Sequence, residues 1–167
     1  PSDPARLRAQ IDRVLADAAP RQGHAPPAKA IVAPHAGYIY SGPIAASAYA
    51  RLAAGRDTIR RVVLFGPTHR VPVRGLALPS VGAFATPLGT VSVDREAAAA
   101  ALALPQVCES DAVHAFEHSL EVQLPFLQSV LGDFRIVPFA VGDATPDEVA
   151  EVIGLLWGGP ETLIVVR

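Results

Sequence analysis

Apolar residues in this 167-residue chain fall into two kinds of run, and their alternation predicts most of the fold. Runs of the first kind are short, continuous and rich in β-branched residues: Ala30-Ile31-Val32-Ala33, Val62-Val63-Leu64-Phe65, the segment Phe134 to Val141, and Leu163 to Val166. Continuous apolarity of this length fits strands buried on both faces of a sheet. Pro138 is expected to interrupt the third of them, because proline cannot donate to the ladder. Runs of the second kind recur at helical spacing. Leu7, Ile11, Val14 and Leu15 follow a start at Ser2-Asp3-Pro4. Ser41-Gly42-Pro43 is expected to open a helix with Ile44, Ser47, Ala48 and Leu52 on one face and Gly55 at its close. Asp94 is placed to cap an alanine-rich helix reaching about Leu104. Leu120, Leu124, Leu127 and Leu131 form one stripe over 119–131, in which Pro125 is either a kink or a new first turn. Thr145-Pro146-Asp147-Glu148 reads as a capping box with proline at the first helical position, predicting a helix to about Trp157.

The stretch 20–27 reads as loop, and Leu76 to Val93 as loop and short strands, a hairpin among the options. Strands alternating with helices predict an α/β sandwich around a largely parallel or mixed sheet. Composition agrees: half of the residues are hydrophobic and 18% are charged, enough to bury one core. The net charge of −2 gives no basic stripe for nucleic acid. The single cysteine, Cys108, excludes an internal disulfide, has no basic neighbour to activate its thiol, and fits a reducing compartment. No apolar run approaches the ~20 residues that span a bilayer, and no basic-then-apolar leader opens the chain. The expectation is a soluble, cytoplasmic protein. The chain begins at Pro1, contains no methionine, and stops at Arg167 directly behind an apolar run, so we read 1–167 as one domain incomplete at its C-terminus and at its N-terminus.

Two of the strands share a layout that bears on chemistry. Ile31-Val32-Ala33-Pro34-His35 and Val62-Val63-Leu64-Phe65-Gly66-Pro67-Thr68-His69 each run from a buried strand through a proline to a histidine. Loops at the carboxyl ends of strands in open α/β sheets diverge around a crevice, where ligands bind. Two imidazoles at such a rim suit iron, zinc or copper. A lone loop histidine is more often a surface residue than a ligand; matching placement makes the two alternatives about equal. Gly37 and Gly66 are expected to provide the tight turns that present the rings. Tyr38 and Tyr40 flank the first histidine, as donors to a bound anion or as packing residues. His114-Ala115-Phe116-Glu117-His118 fits H-x-x-E-H, the zinc pattern of inverted zincins, which needs both histidines on one helix face. The plainer alternative is a polar helix entrance capped by Asp111, with Glu117 and His118 still able to face a cleft. Ser41 is better read as an N-cap than as a nucleophile, and neither a G-x-S-x-G elbow nor a glycine-rich phosphate loop is present.

Three long blocks carry a family resemblance. Ile31 to Gly42 (IVAPHAGYIYSG), Leu64 to His69 (LFGPTH) and Glu117 to Phe126 (EHSLEVQLPF) resemble, in order and spacing, the signature blocks of the Memo family, whose bacterial members are called protein B of the AmmeMemoRadiSam system. The resemblance covers essentially the whole chain. It implies an α/β fold like that of class III extradiol dioxygenases, truncated here, with His35 and His69 as ligands to a non-haem iron or copper ion. It also implies that a third ligand and an acid–base histidine lie beyond Arg167, in a block that would begin there. A radical SAM partner and related system proteins are implied, in a modification pathway with metal-dependent redox chemistry. Three functions are therefore carried forward. The first is a metal-dependent, dioxygenase-like oxidoreductase, with His118 and Glu117 lining or tuning the pocket and Tyr38 and Tyr40 contacting substrate. The second is a non-catalytic adaptor that binds a peptide or protein through the same pocket, with Tyr38, Tyr40 and Phe84 as contacts. The third is an H-x-x-E-H zinc peptidase.

Overall fold

A computed structural model of the chain describes residues 2–18, 26 and 28–167; the expected loop 20–27 lies, apart from Pro26, outside the described residues. The first helix, α1 (Pro4–Ala18), starts where Asp3 accepts a hydrogen bond from the Arg6 amide (2.7 Å), and it buries Leu7 and Ile11. After β1 (Ala30–Val32), α2 (Tyr38–Tyr49) continues into a 3₁₀ turn ending at Gly55. The central strand β2 (Arg61–Pro67) follows, then β3 (Leu76–Leu78) and the hairpin β4 (Ala83–Thr86)–β5 (Gly89–Ser92). The second half comprises α3 (Arg95–Leu102), β6 (Val107–Glu109), the single turn α4 (Asp111–His114), a 3₁₀ turn at Glu121–Gln123, α5 (Leu124–Val130), β7 (Arg135–Val141), α6 (Pro146–Leu156) and β8 (Thr162–Val166).

The strands form one mixed six-stranded sheet in the order β1-β8-β2-β7-β3-β6, apart from the hairpin. The pairs β1–β8, β8–β2, β2–β7 and β3–β6 are parallel, and β3–β7 is antiparallel. Helices α1, α2 and α5 pack on one another, as do α3 and α6. Consecutive residues of β2, β7 and β8 are buried, so both faces of the sheet centre are covered. Stacked Phe65 and Phe139 (5.1 Å between centroids) and stacked Tyr49 and Phe126 (5.0 Å) fill the core. No helix among the described residues is long and apolar enough to cross a membrane.

Several local expectations are corrected. Strand β7 runs through Pro138 without a break. On that side β3 pairs only with Ala140 and Val141, and Val93 bridges only to Ile136, so the missing amide falls where no acceptor waits. Helix α2 opens at Tyr38, behind the N-cap Gly37, and contains Pro43 in its second turn. Ser41 is therefore no cap; its hydroxyl donates to the Ala36 carbonyl (2.9 Å). The buried face of α2 is Ser41, Gly42, Ala45, Ala46 and Tyr49, whereas Ile44 is exposed. The helix expected from Ser119 is shorter: Pro125 opens a new first turn, because the 3₁₀ turn before it supplies the entry. Thr145 and Glu148 form the reciprocal capping box as expected.

Candidate functional site

The strand order alone decides what meets at the carboxyl edge of the sheet. His35 follows β1 and His69 follows β2, and β8 lies between those two strands. The loops are tied across it: Ala33 donates its amide to Val166 (3.0 Å) and Arg167 donates its own to Phe65 (3.1 Å). The two imidazole rings stack at 5.3 Å between centroids, inclined by 29°. They line a cavity of about 230 Å³ with Arg70, Phe116, Glu117, His118 and Ser119.

Glu117 organises this pocket. Its carboxylate is almost fully buried and accepts from the amides of His69 (2.8 Å), His118 (3.0 Å) and Ser119 (2.9 Å). It also meets Nδ1 of His69 at 3.0 and 3.1 Å. Burial alone would raise the carboxyl pKa, but the Ser119 and His69 amides and the His69 ring outweigh it and hold the group at about 2. An ionised carboxylate can only accept, so Nδ1 of His69 carries a proton and donates it. In the neutral ring the lone pair is then on Nε2, which has no hydrogen-bond partner among the described residues. Metal-ligating histidines are commonly backed by a carboxylate in this way.

The other histidine has a different neighbour. Arg167 donates from Nη2 to Nε2 of His35 (2.9 Å). Burial, then the Arg167 charge and the His69 ring, lower the His35 pKa against the opposing pull of Glu117. Two further guanidinium nitrogens of Arg167, Nε and Nη1, are buried without a hydrogen-bond partner among the described residues. Two imidazoles, one with a free and backed Nε2, fit two positions of a transition-metal coordination sphere. Ligation through Nε2 of His35 requires Arg167 to turn away. Among the described residues no group of three or more His, Cys, Asp and Glu side chains is arranged to hold a metal.

The remaining expected residues are distributed unevenly. His118 lines the pocket, with its exposed ring 3.3 Å from Glu121. Tyr38 is not brought to the histidines: its hydroxyl donates to the Val122 carbonyl (3.1 Å) and its ring meets Phe126 edge-on. Tyr40 is exposed with Ile39 and Ile44 on the outside of α2, and Phe84 packs on the core edge-on to His114. The inverted-zincin geometry fails. Helix α4 ends at His114, so His114 and His118 share no helix face, and His114 is engaged with the Ala77 carbonyl (3.0 Å). Asp111 does not cap that turn; Ser110 is the N-cap, while Asp111 holds the Ser80 amide and hydroxyl. Gly66 lies inside β2 rather than in a turn. A Cβ there would come within 2.8 Å of Ser119 Oγ and 2.9 Å of Leu120 Cδ2, so its smallness lets the Glu117 segment dock.

Sequence reasoning missed Arg70, Arg167, Ser119 and Gln123. Gln123 is buried, donates to the Pro34 carbonyl (3.2 Å) and accepts from Tyr49 (2.6 Å), tying the His35 loop to the 3₁₀ turn. A glutamine beside a leucine stripe was the available signal. Arg167 stands just past a buried strand, the placement that singled out the two histidines.

Comparison with known proteins agrees with the blocks that compose this site. A family model described as Memo-like protein matches residues 1–166. A MEMO1 family protein of Sulfolobus acidocaldarius is 38% identical over 183 aligned positions, covering 99% of this chain and 63% of the relative. One from Ignicoccus hospitalis is 50% identical over 117 positions, 68% of this chain and 40% of the relative. Another, from Methanothermobacter thermautotrophicus, is 38% identical over 157 positions, 90% and 56%. The chain thus spans 40–63% of the length of these curated relatives. With the family model matching nearly every residue, the chain belongs to the Memo family.

Proposed function

We propose that this chain supplies the two-histidine part of a non-haem metal site, for iron or copper, in a metal-dependent oxidoreductase. The observation that carries the reading is the Glu117–His69 pair: a buried carboxylate fixes the ring through Nδ1 and leaves Nε2 without a partner among the described residues, on a ring that lines a pocket shared with His35. Such a metal would supply Lewis acidity and one-electron chemistry at the pocket. The protein's own part is positional. Glu117 holds the tautomer of His69 and, through the Ser119 and His118 amides, the wall of the pocket. Gln123 fixes the carbonyl of Pro34, next to His35. His118 stands exposed at the rim, where it can exchange a proton with solvent or a bound group. The oxidoreductase class and a radical SAM partner in a modification pathway rest on the family resemblance.

The test is the metal content of the full-length protein, prepared without oxygen and measured by elemental analysis. Loss of bound iron or copper in both His35→Ala and His69→Ala is the expected outcome, with a drop in affinity of about 10–100-fold for Glu117→Gln. Unchanged stoichiometry in the two alanine variants would overturn the reading.

A further inference from the structure

We propose that Gln123 and Ser41 position His35 against His69 by holding the peptide carbonyls on either side of it; the inference deepens the functional reading above, on which its metal arm rests. Gln123 donates from Nε2 to the Pro34 carbonyl (3.2 Å), and Ser41 donates from Oγ to the Ala36 carbonyl (2.9 Å). Both side chains are buried. Neither carbonyl receives a backbone amide among the described residues, so these side chains are their donors. The amide of Gln123 stands one way round. The carbonyls of Pro34 and Ser119 (3.5 Å) can only accept, so Nε2 faces them and Oε1 takes the hydroxyl of Tyr49 (2.6 Å). Burial pushes the Tyr49 phenol pKa up, which keeps that proton in place.

The two histidines are thus gripped by different means from one segment. Glu117 holds His69 at its ring and its amide, and the Ser119 hydroxyl donates to the carbonyl of Pro67 (3.3 Å), in the same loop. Gln123, one turn further on, holds the loop of His35 through its main chain. Residues 117–123 therefore bridge the loops after β1 and β2, and slackening either grip changes the separation of the rings, 5.3 Å between centroids. Binding groups need their supporting bonds to hold them within about 0.5 Å of the productive geometry. Without Gln123 the Pro34 carbonyl has no donor, and the loop must shift to reach another donor or water.

The full-length protein, labelled with ¹⁵N at histidine and stripped of metal by a chelator, is followed by NMR of its imidazole signals and then titrated with copper(II). In Gln123→Met and in Ser41→Ala the His35 signals should shift or broaden, while His69 keeps the Nδ1–H tautomer that Glu117 imposes. Copper affinity should fall about tenfold in Gln123→Met and less in Ser41→Ala. Ser41→Ala removes a single oxygen, so it keeps the test decisive if Gln123→Met fails to fold. Asp94→Ala, which loosens the far end of the sheet, controls for lost stability alone and should leave the His35 signals in place. His35 signals unmoved in both loop variants, moved equally in the Asp94 variant, or accompanied by wild-type copper affinity throughout, overturn the inference. A wild-type protein that takes up no copper, yet shows His35 displaced in the loop variants, removes the metal site alone and leaves the positioning role standing.

Discussion

At the amino ends of β2, β7 and β8, residues that include Arg60, Arg61, Asp94, Arg135 and Glu161 line a cavity of about 420 Å³; at the carboxyl ends, His35, His69 and Glu117 line one of about 230 Å³. Both carry charged side chains, and size favours the first. They differ in what their polar groups still have to give. At the amino end Arg61 is paired with Asp94 (2.7 Å), and Asp94 also caps α3 through the Ala97 amide. Arg60 spends its donors on the carbonyls of Asp57 and Asp133. These bonds join strand starts to their flanking elements, which is structural work. At the carboxyl end only Glu117 is fully engaged. Nε2 of His69 and two nitrogens of Arg167 face no partner among the described residues. The groups at the amino end are thus consumed in holding the fold, whereas the half-exposed ring of His69 keeps one nitrogen unpaired among the described residues.

Substitutions at the two ends should separate stability from binding. The largest loss is expected for Glu117→Ala, about 3 kcal/mol by urea denaturation, because three amides and a ring nitrogen lose one acceptor. Metal should go with it, since the same carboxylate orients His69. At the other end Asp94→Ala should cost about 2 kcal/mol through the lost cap and the unpaired Arg61, yet leave metal content unchanged. Metal loss in that variant would erase the distinction between the two cavities.

Acidification probes the same contrast. The Glu117 carboxyl is held at about 2 in the fold, below the ordinary 4.5, so its stabilisation is complete above 4.5 and is lost as pH falls toward 2. The advantage of wild type over Glu117→Gln should therefore be constant at neutral pH and shrink across that window. An advantage that stayed level down to pH 2 would show that the carboxylate is not held by the pocket. The smallest effect is expected for His69→Ala, within about 0.5 kcal/mol in the metal-free protein, since its ring is half exposed. A larger loss would make it a structural residue like those at the amino end.

Much of the chain was legible because local rules decide it. The capping box at Thr145, the Asp94 cap and the buried strands β2 and β8 follow from side-chain chemistry and apolar runs within a few residues of each other. The segment 111–123 was not. Its leucine spacing predicts a helix from Ser119, but Glu117 satisfies the Ser119 and His118 amides from its side chain and holds the backbone in turns instead. Burial of that carboxylate depends on β2, more than forty residues earlier, and specifically on the room left at Gly66.

The sequence by itself determined that two histidines would stand just past two strands of one α/β sheet. Hydrophobic periodicity and proline-bearing strand ends suffice for that. They do not show that only β2 would be buried while β1 lies at the sheet edge with Ala30 and Val32 exposed. Only the tertiary structure decided that, and the company of the histidines. Insertion of β8 between β1 and β2 sets Arg167 against His35, and docking of the 117–120 segment on β2 puts Glu117 behind His69. Neither follows from local pattern, because strand order is settled by how whole elements pack, and contacts across 48 and 132 residues leave no periodic trace in the chain.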